Sequence, residues 1–349
     1  MAVADLVAAQ RNAGMQATWL TADRYPTFQR DRGLRKSVNS IQPSLAHVHG
    51  LWRSPTRIAN TLAKTGLPLV IAPHGMLNPM ALAHSRWKKF FVWHLWESRA
   101  LSSARCLHAL CPAEATAIKS LLPEIPIAVI PNGVALPGRA TGGEPDTPRA
   151  PLPCQAFFPA DGKILLFLGR FHSGKGITQL LHAWEAVSSE AERHGWWLAL
   201  VGYGDGGALE RQLQTKPVPR CMAFGPVFGS AKEAVLASAK AFVLPSHFEA
   251  LPMAALEAMA HGLPCLLSSA CNLPEAFEHA AALRAEPNPE ALAQAMGQLF
   301  SLTEQERTAM GESGRALVAQ NYSWPQVAAQ TLDLYNWILG GGEHPPFVS

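Results

Sequence analysis

Two carboxylates, Glu249 and Glu257, stand in the otherwise apolar stretch Pro245–Gly262, one in a turn and one inside the helix that the stretch predicts. Carboxylates in such a place need partners. Taken alone, Glu249 reads as a helix cap and Glu257 as a solvated side chain. A second stretch bears on that reading: Gly169-Arg170-Phe171-His172-Ser173-Gly174-Lys175-Gly176 follows an apolar strand and precedes a helix. A strand, glycine turn and helix in that order present free N–H groups and a positive helix end to an anion. Arg170 and Lys175 add full charges, which suits a diphosphate leaving group. No Asp-x-Asp pair occurs, so charge neutralisation is expected from the protein and no metal is called for.

Two familiar motifs are imitated and fail specific tests. Gly169 to Gly176 follows a P-loop until Gly176 stands where a Ser or Thr hydroxyl would hold magnesium, which argues against a nucleoside triphosphatase. Gly202-x-Gly204-x-x-Gly207 follows a strand, as in dinucleotide-binding proteins. Cys221–Gly229 then offers no acidic residue for a ribose, which argues against an oxidoreductase. In the first half, His49 and His74 each stand where a strand runs out, the place where open α/β sheets hold ligands.

The elements that must position these residues are legible from periodicity. The length of 349 residues suits two domains, and with 48% hydrophobic and 16% charged residues each can bury its own core. A net charge of +3 is too mild to argue for nucleic acid as a partner. No apolar run approaches the roughly 18 to 20 residues that span a bilayer, and no signal peptide opens the chain, so a cytoplasmic location is expected. The scattered cysteines read as reduced thiols.

Met1–Gly14 predicts a helix, Ala17–Leu20 a strand, and Ser44–His49, Pro68–Ala72, Cys106–Leu110 and Ile127–Ile130 further strands of a first α/β domain over residues 1–137. A Pro- and Gly-rich linker is expected over 138–160 and a second α/β domain over 161–322. A last helix then runs through 323–340 and crosses back to the first domain, and Gly340–Ser349 reads as a frayed end. Between His84 and Leu101 a helix carries Trp87, Phe90, Phe91, Trp93, Leu95 and Trp96 among Arg86, Lys88, Lys89 and Arg99. Its spacing predicts a core stripe of Trp87, Phe91 and Leu95, while aromatics interleaved with basic residues also suit a membrane interface.

Taken in order, these motifs resemble the retaining family 4 glycosyltransferases of the GT-B fold. The resemblance rests on Leu168-Gly169-Arg170 with Lys175-Gly176, Leu200-Val201-Gly202-Tyr203-Gly204, Pro245-Ser246 through Glu249, and Glu257-Ala258-Met259-Ala260 to Gly262-Leu263-Pro264. It rests also on His49, Pro73-His74-Gly75-Met76 and Ile130-Pro131-Asn132-Gly133-Val134 in the first half. It implies an α/β architecture of two Rossmann-like domains facing across a cleft, with a nucleotide-sugar donor held mainly by the second.

Carried over by position, Gly169, Arg170 and Lys175 would bind the diphosphate, together with Gly202 of the second glycine turn, and Glu257 would hold the ribose. Glu249 would contact the donor sugar, with N–H groups in the segment Ala250, Leu251, Pro252 and Met253 near its hydroxyls and phosphate. Pro226, in Gly225-Pro226-Val227, would seat the base, and His74 would reach the donor sugar near the reacting carbon. Beside a phosphate turn, Glu249 and Glu257 are expected to meet hydroxyls rather than to work as a glycosidase pair.

The implied reaction is metal-independent glycosyl transfer with retention, the nucleotide-sugar being substrate rather than cofactor. The acceptor would be a saccharide or a lipid-linked precursor, as in polysaccharide biosynthesis, with peripheral contact at the inner face of a membrane. The family opens with a strand and glycine loop, and this chain begins after them. The same residues therefore also fit a catalytically idle nucleotide-sugar-binding remnant, or a subunit completed by a partner. After Leu267 the common Gly-Gly turn is replaced by Ser268-Ser269-Ala270-Cys271-Asn272-Leu273-Pro274-Glu275, a variant resembling polysaccharide-building enzymes.

Overall fold

Alternation along short strands builds the first unit. β1 (Ala46–His49), β2 (Leu69–Ala72), β3 (Cys106–Ala109) and β4 (Ile127–Val129) form a parallel sheet in the order β1-β2-β3-β4. Successive side chains point to opposite faces. Val48, Leu69, Ile71, Leu107 and Ile127 therefore share one core with Ile58 and Leu101, while Val70, Cys106 and Ala128 share another with Leu6, Val327 and Leu334. The second core is capped by the helices Ala2–Asn12 and Trp324–Ile338. This computed structural model of the chain describes residues 2–83, 85–137, 159 and 162–349, so the linker expected over 138–160 lies, apart from Pro159, outside the described residues, as does Cys154.

The chain divides into Met1–Gly133 with Trp324–Ser349 as one unit and Val134–Ser323 as the other. The second unit holds β5 (Lys163–Arg170), β6 (Trp196–Tyr203), β7 (Cys221–Phe224), β8 (Ala241–Leu244), β9 (Cys265–Leu267) and β10 (Ala282–Arg284). They form a parallel sheet in the order β10-β9-β8-β5-β6-β7. That is the doubly wound arrangement of dinucleotide-binding folds, whose strand order reverses between β5 and β8. Leu165, Leu166 and Phe167 of β5 are fully buried, as strands covered on both faces require. Below the sheet, Trp196 stacks on Phe300 at 5.5 Å, and Trp184 donates its indole N–H to the Pro219 carbonyl at 2.9 Å.

Three expectations are corrected. Ala17–Leu20 forms no strand, because it pairs with no strand of the sheet β1-β2-β3-β4. The chain end is not frayed: Val129 N–H donates to the Phe347 carbonyl, Ile127 and Ser349 exchange backbone hydrogen bonds, and Val348 is buried. The free edge of β4 thus acquires an antiparallel partner. Third, the helical stretch from Arg86 does not bury the predicted stripe: Trp87, Phe91 and Leu95 are 65%, 59% and 63% exposed. Trp87 and Phe91 lie in the α-helix Arg86–Val92, ahead of a π-helical turn at Trp93–Glu97, and their face meets solvent; the segment turns Glu97, Ala100 and Leu101 inward instead. Among the described residues no helix is long and apolar enough to cross a membrane. Among the described residues, Cys106, Cys221, Cys265 and Cys271 are buried free thiols.

Candidate active site

In the second unit the turns after β5 and β8 meet at the switch point of the sheet, and glycine makes the approach. Gly176 has φ +68°, and a Cβ there would lie 2.1 Å from the Pro245 carbonyl oxygen. His247 N–H closes the contact by donating to the Gly174 carbonyl at 2.8 Å. The helix Ile177–Arg193 starts directly after Gly176.

On this joint Lys175 forms an ion pair with Glu249, and the Ser246 hydroxyl donates to the same carboxylate oxygen, Oε1, at 2.7 Å. Both partners of the pair are largely shielded, with side chains 20% and 12% exposed. The turn after β9 holds the Glu249 backbone from the other side: its N–H donates to the Ala270 carbonyl at 3.0 Å, and its carbonyl accepts from Asn272 Nδ2 at 2.5 Å. Glu249 is therefore no helix cap. The helix Met253–Ala260 is preceded by Pro252, without a side-chain cap. The Met253 N–H is spent on the Leu251 carbonyl, whereas the N–H groups of Ala250 and Leu251 meet no acceptor among the described residues.

Glu257 is not brought into the Lys175–Glu249 pair. It accepts from Lys232 Nζ at 2.7 Å, both side chains being about a quarter exposed. Arg170, at the end of β5, is exposed and forms no ion pair among the described residues. Gly225 and Pro226 are exposed, and near them Tyr203 and Phe228, both exposed, lie 6.2 Å apart between ring centroids.

The two glycine turns differ in kind. A Cβ on Gly202 would meet the Gly169 carbonyl oxygen at 1.8 Å, so strand packing alone demands glycine there. At the start of the helix Ala208–Thr215, Asp205 accepts from the Gly207 and Leu209 N–H groups at 3.0 and 2.7 Å. That helix end already carries its own anion, which leaves the turn after β5 as the phosphate candidate.

His74 belongs to the first unit and sits in a histidine cluster. Period-two alternation and the pairings His49↔Ala72 and His47↔Val70 place His47, His49 and His108 on one face, across the small Ala72. His74, just past β2, is half-buried at φ +53°. Its Nε2 lies 2.9 Å from His49 Nδ1. The buried Glu114 holds the turn behind it, accepting from the Gly75 and Leu110 N–H groups at 2.5 and 2.8 Å. Burial, reinforced by nearby imidazoles, lowers the His74 pKa to about 4 and holds His47 and His49 well below the usual histidine range. Burial likewise takes His108 to about 4, although its bond to the Ile130 carbonyl opposes the shift. The same effect pushes the Glu97 and Glu114 carboxyls above the ordinary carboxylate range.

Lys232, Asn272, Glu114, His108 and Tyr335 carry no role that the sequence alone predicts. Ser246 lay inside a quoted motif without a role. No local pattern distinguishes Lys232 from any lysine in the first turn of a surface helix.

Comparison with known proteins bears on the family and the fold. Residues 162–301 match the family described as glycosyl transferases group 1, and residues 28–133 match the glycosyl transferase 4-like domain. An uncharacterized glycosyltransferase of Methanocaldococcus jannaschii is 32% identical over 179 residues, covering 50% of this chain and 45% of the relative. An MMP alpha-(1->4)-mannosyltransferase of Mycolicibacterium hassiacum is 25% identical over 293 residues, covering 78% of this chain and 66% of the relative. The chain thus spans about half the length of the first relative and about two thirds of the second. Among solved structures, sucrose-phosphate synthase from Thermosynechococcus elongatus superposes with a TM-score of 0.72 at 20% identity, covering 94% of this chain and 82% of that one. With two parallel Rossmann-like sheets, both family descriptions in order and this structural likeness, the chain belongs to the group 1, family 4 glycosyltransferases of the GT-B fold.

Proposed function

We propose that this chain transfers a hexosyl group from a nucleotide-sugar to a saccharide or lipid-linked acceptor, with retention and without a metal. The observation that carries the reading is the Lys175–Glu249 pair at the switch point of the second sheet, beside a helix start. A cation and a carboxylate side by side suit a diphosphate sugar: Lys175 and Arg170 take the charge of the leaving group, and Glu249 accepts from sugar hydroxyls. The free N–H groups of Ala250 and Leu251 add donors beside them. Glu257 holds the ribose hydroxyls, and Pro226 seats the base with Tyr203 and Phe228 near it. His74 acts on the donor sugar.

Lys232 orients Glu257 in this reading. Glu257→Ala is expected to weaken nucleotide binding by about 1 to 3 kcal/mol, the loss of hydrogen bonds to a charged acceptor. Calorimetric titration checks this, and an unchanged affinity would contradict the ribose role.

A lipid-linked acceptor implies work at the inner, cytoplasmic face of a membrane, and the segment Arg86–Arg99 suits contact with it. Trp87, Phe90, Phe91 and Leu95 are exposed beside Arg86, Lys88 and Arg99, while the one acid of the segment, Glu97, is fully buried. The exposed face is therefore aromatic and purely cationic, the composition that settles on anionic lipid. The chain is expected to co-sediment with vesicles containing anionic lipid and not with neutral ones, and Trp87→Ser with Phe91→Ser should abolish the difference. Co-sedimentation indifferent to lipid charge would remove the membrane contact.

A further inference from the structure

The histidine cluster of the first unit fixes its own proton positions. His108 Nε2 faces the Ile130 carbonyl at 2.6 Å, and a carbonyl only accepts, so this nitrogen carries the proton. In a neutral ring His108 Nδ1 is then an acceptor, and its partner at 3.2 Å, His47 Nε2, must donate. His47 Nδ1 is in turn an acceptor for the Tyr335 hydroxyl at 2.7 Å, and the Tyr335 oxygen accepts from Gln10 Nε2 at 3.2 Å. One backbone carbonyl thus orders a relay of side chains drawn from two strands and two helices. His47 is held from both ring nitrogens, and it stacks on His49 at 4.1 Å with planes 29° apart.

His49 lies between that fixed ring and His74, whose centroid is 5.2 Å away at 26°. Only one proton fits between His49 Nδ1 and His74 Nε2. Whichever ring carries it, Nδ1 is the His74 nitrogen left for a ligand. The Glu114 grip on the Gly75 N–H holds the backbone of His74, and His49 holds its ring. A departing diphosphate offers acceptors only and a sugar hydroxyl can accept as well as donate, so a donor on His74 suits either.

We propose that His49 is the positioning residue for His74: its Nδ1–H donates to His74 Nε2, so that His74 keeps its own proton on Nδ1 and presents a donor to the sugar. This rests on the transferase reading for its purpose, but the tautomer is a property of the free chain and is measured without substrate.

The test has two arms. Long-range nitrogen–proton NMR of the imidazoles in the wild-type chain is expected to show His74 protonated at Nδ1 and unprotonated at Nε2. His49→Leu should mix the two tautomers, whereas His49→Asn, whose amide can replace the Nδ1 donor, should restore one. In turnover, His49→Leu is expected to lower kcat by roughly 10- to 100-fold with the nucleotide Kd unchanged, and His49→Asn to recover most of it. A wild-type His74 protonated at Nε2 would overturn the proposal, and so would a His49→Leu chain with wild-type kcat. If no nucleotide-sugar is turned over, the transferase reading fails while the NMR arm still decides the role of His49.

Discussion

Lys175→Ala is expected to lower sugar transfer by about 100- to 1000-fold in kcat, the scale of losing one preorganised charge at a developing anion. The lysine sits in the turn after β5 and is paired with Glu249. In the reaction it is expected to shift its charge toward the diphosphate as the bond to the sugar breaks. The substitution also leaves a shielded carboxylate without its counter-charge, which by itself costs stability. Two further variants separate these effects. Lys175→Ala with Glu249→Gln removes the orphan charge and should regain thermal stability without regaining turnover. Lys175→Met with Glu249 intact should lose both. Nucleotide release followed by coupled assay reads the rate, and circular dichroism the melting temperature. Turnover within a few-fold of wild type in Lys175→Ala would assign the diphosphate to other groups.

Acid is expected to unfold the first unit ahead of the second. The sign follows from the lowered histidine pKa values: His74 and His108 titrate near 4 in the folded chain and near 6.5 when unfolded. Between those values the unfolded chain binds more protons, so stability is fully present above about pH 6.5 and is lost as pH falls toward 4. A shift of that size is worth on the order of 3 kcal/mol for one imidazole, against a typical domain stability of about 5 to 15 kcal/mol. His47 and His49 shift in the same direction and add to the loss. Hydrogen exchange at the amides of β1, β2 and β3 should lose protection between pH 7 and pH 5 while β5 and β6 keep theirs. Equal protection in both units over that range would mean that the cluster accepts protons without cost.

Much of the second unit was legible because its chemistry is local. The apolar run of β5, the glycine turn and the apolar run of β8 identify the switch point, and Lys175 and Glu249 lie within a few residues of those strand ends. What stayed hidden depends on contacts far apart in the chain. Lys232 meets Glu257 across 25 residues, and His47 meets Tyr335 across 288, so neither partner carries a spacing that betrays it. β10 is short and only partly buried, with Ala282-Leu283-Arg284 too brief to show a period. Gly340–Ser349 reads as a frayed end until the edge of β4 is there to receive Phe347–Ser349. The helix from Arg86 differs for another reason: Trp87, Phe91 and Leu95 keep the spacing of one helix face, but periodicity does not say whether that face meets a core, and here it meets solvent.

The second unit is expected to bind a nucleotide diphosphate at the β5–β8 switch point using protein charges alone. Isothermal titration of the chain with UDP, GDP and ADP in EDTA, with Lys175→Ala run alongside, decides this. Binding of at least one of the three in EDTA, weakened by about tenfold or more in Lys175→Ala, is the expected result. Failure of all three to bind, or binding that returns only when a divalent cation is added, would contradict it.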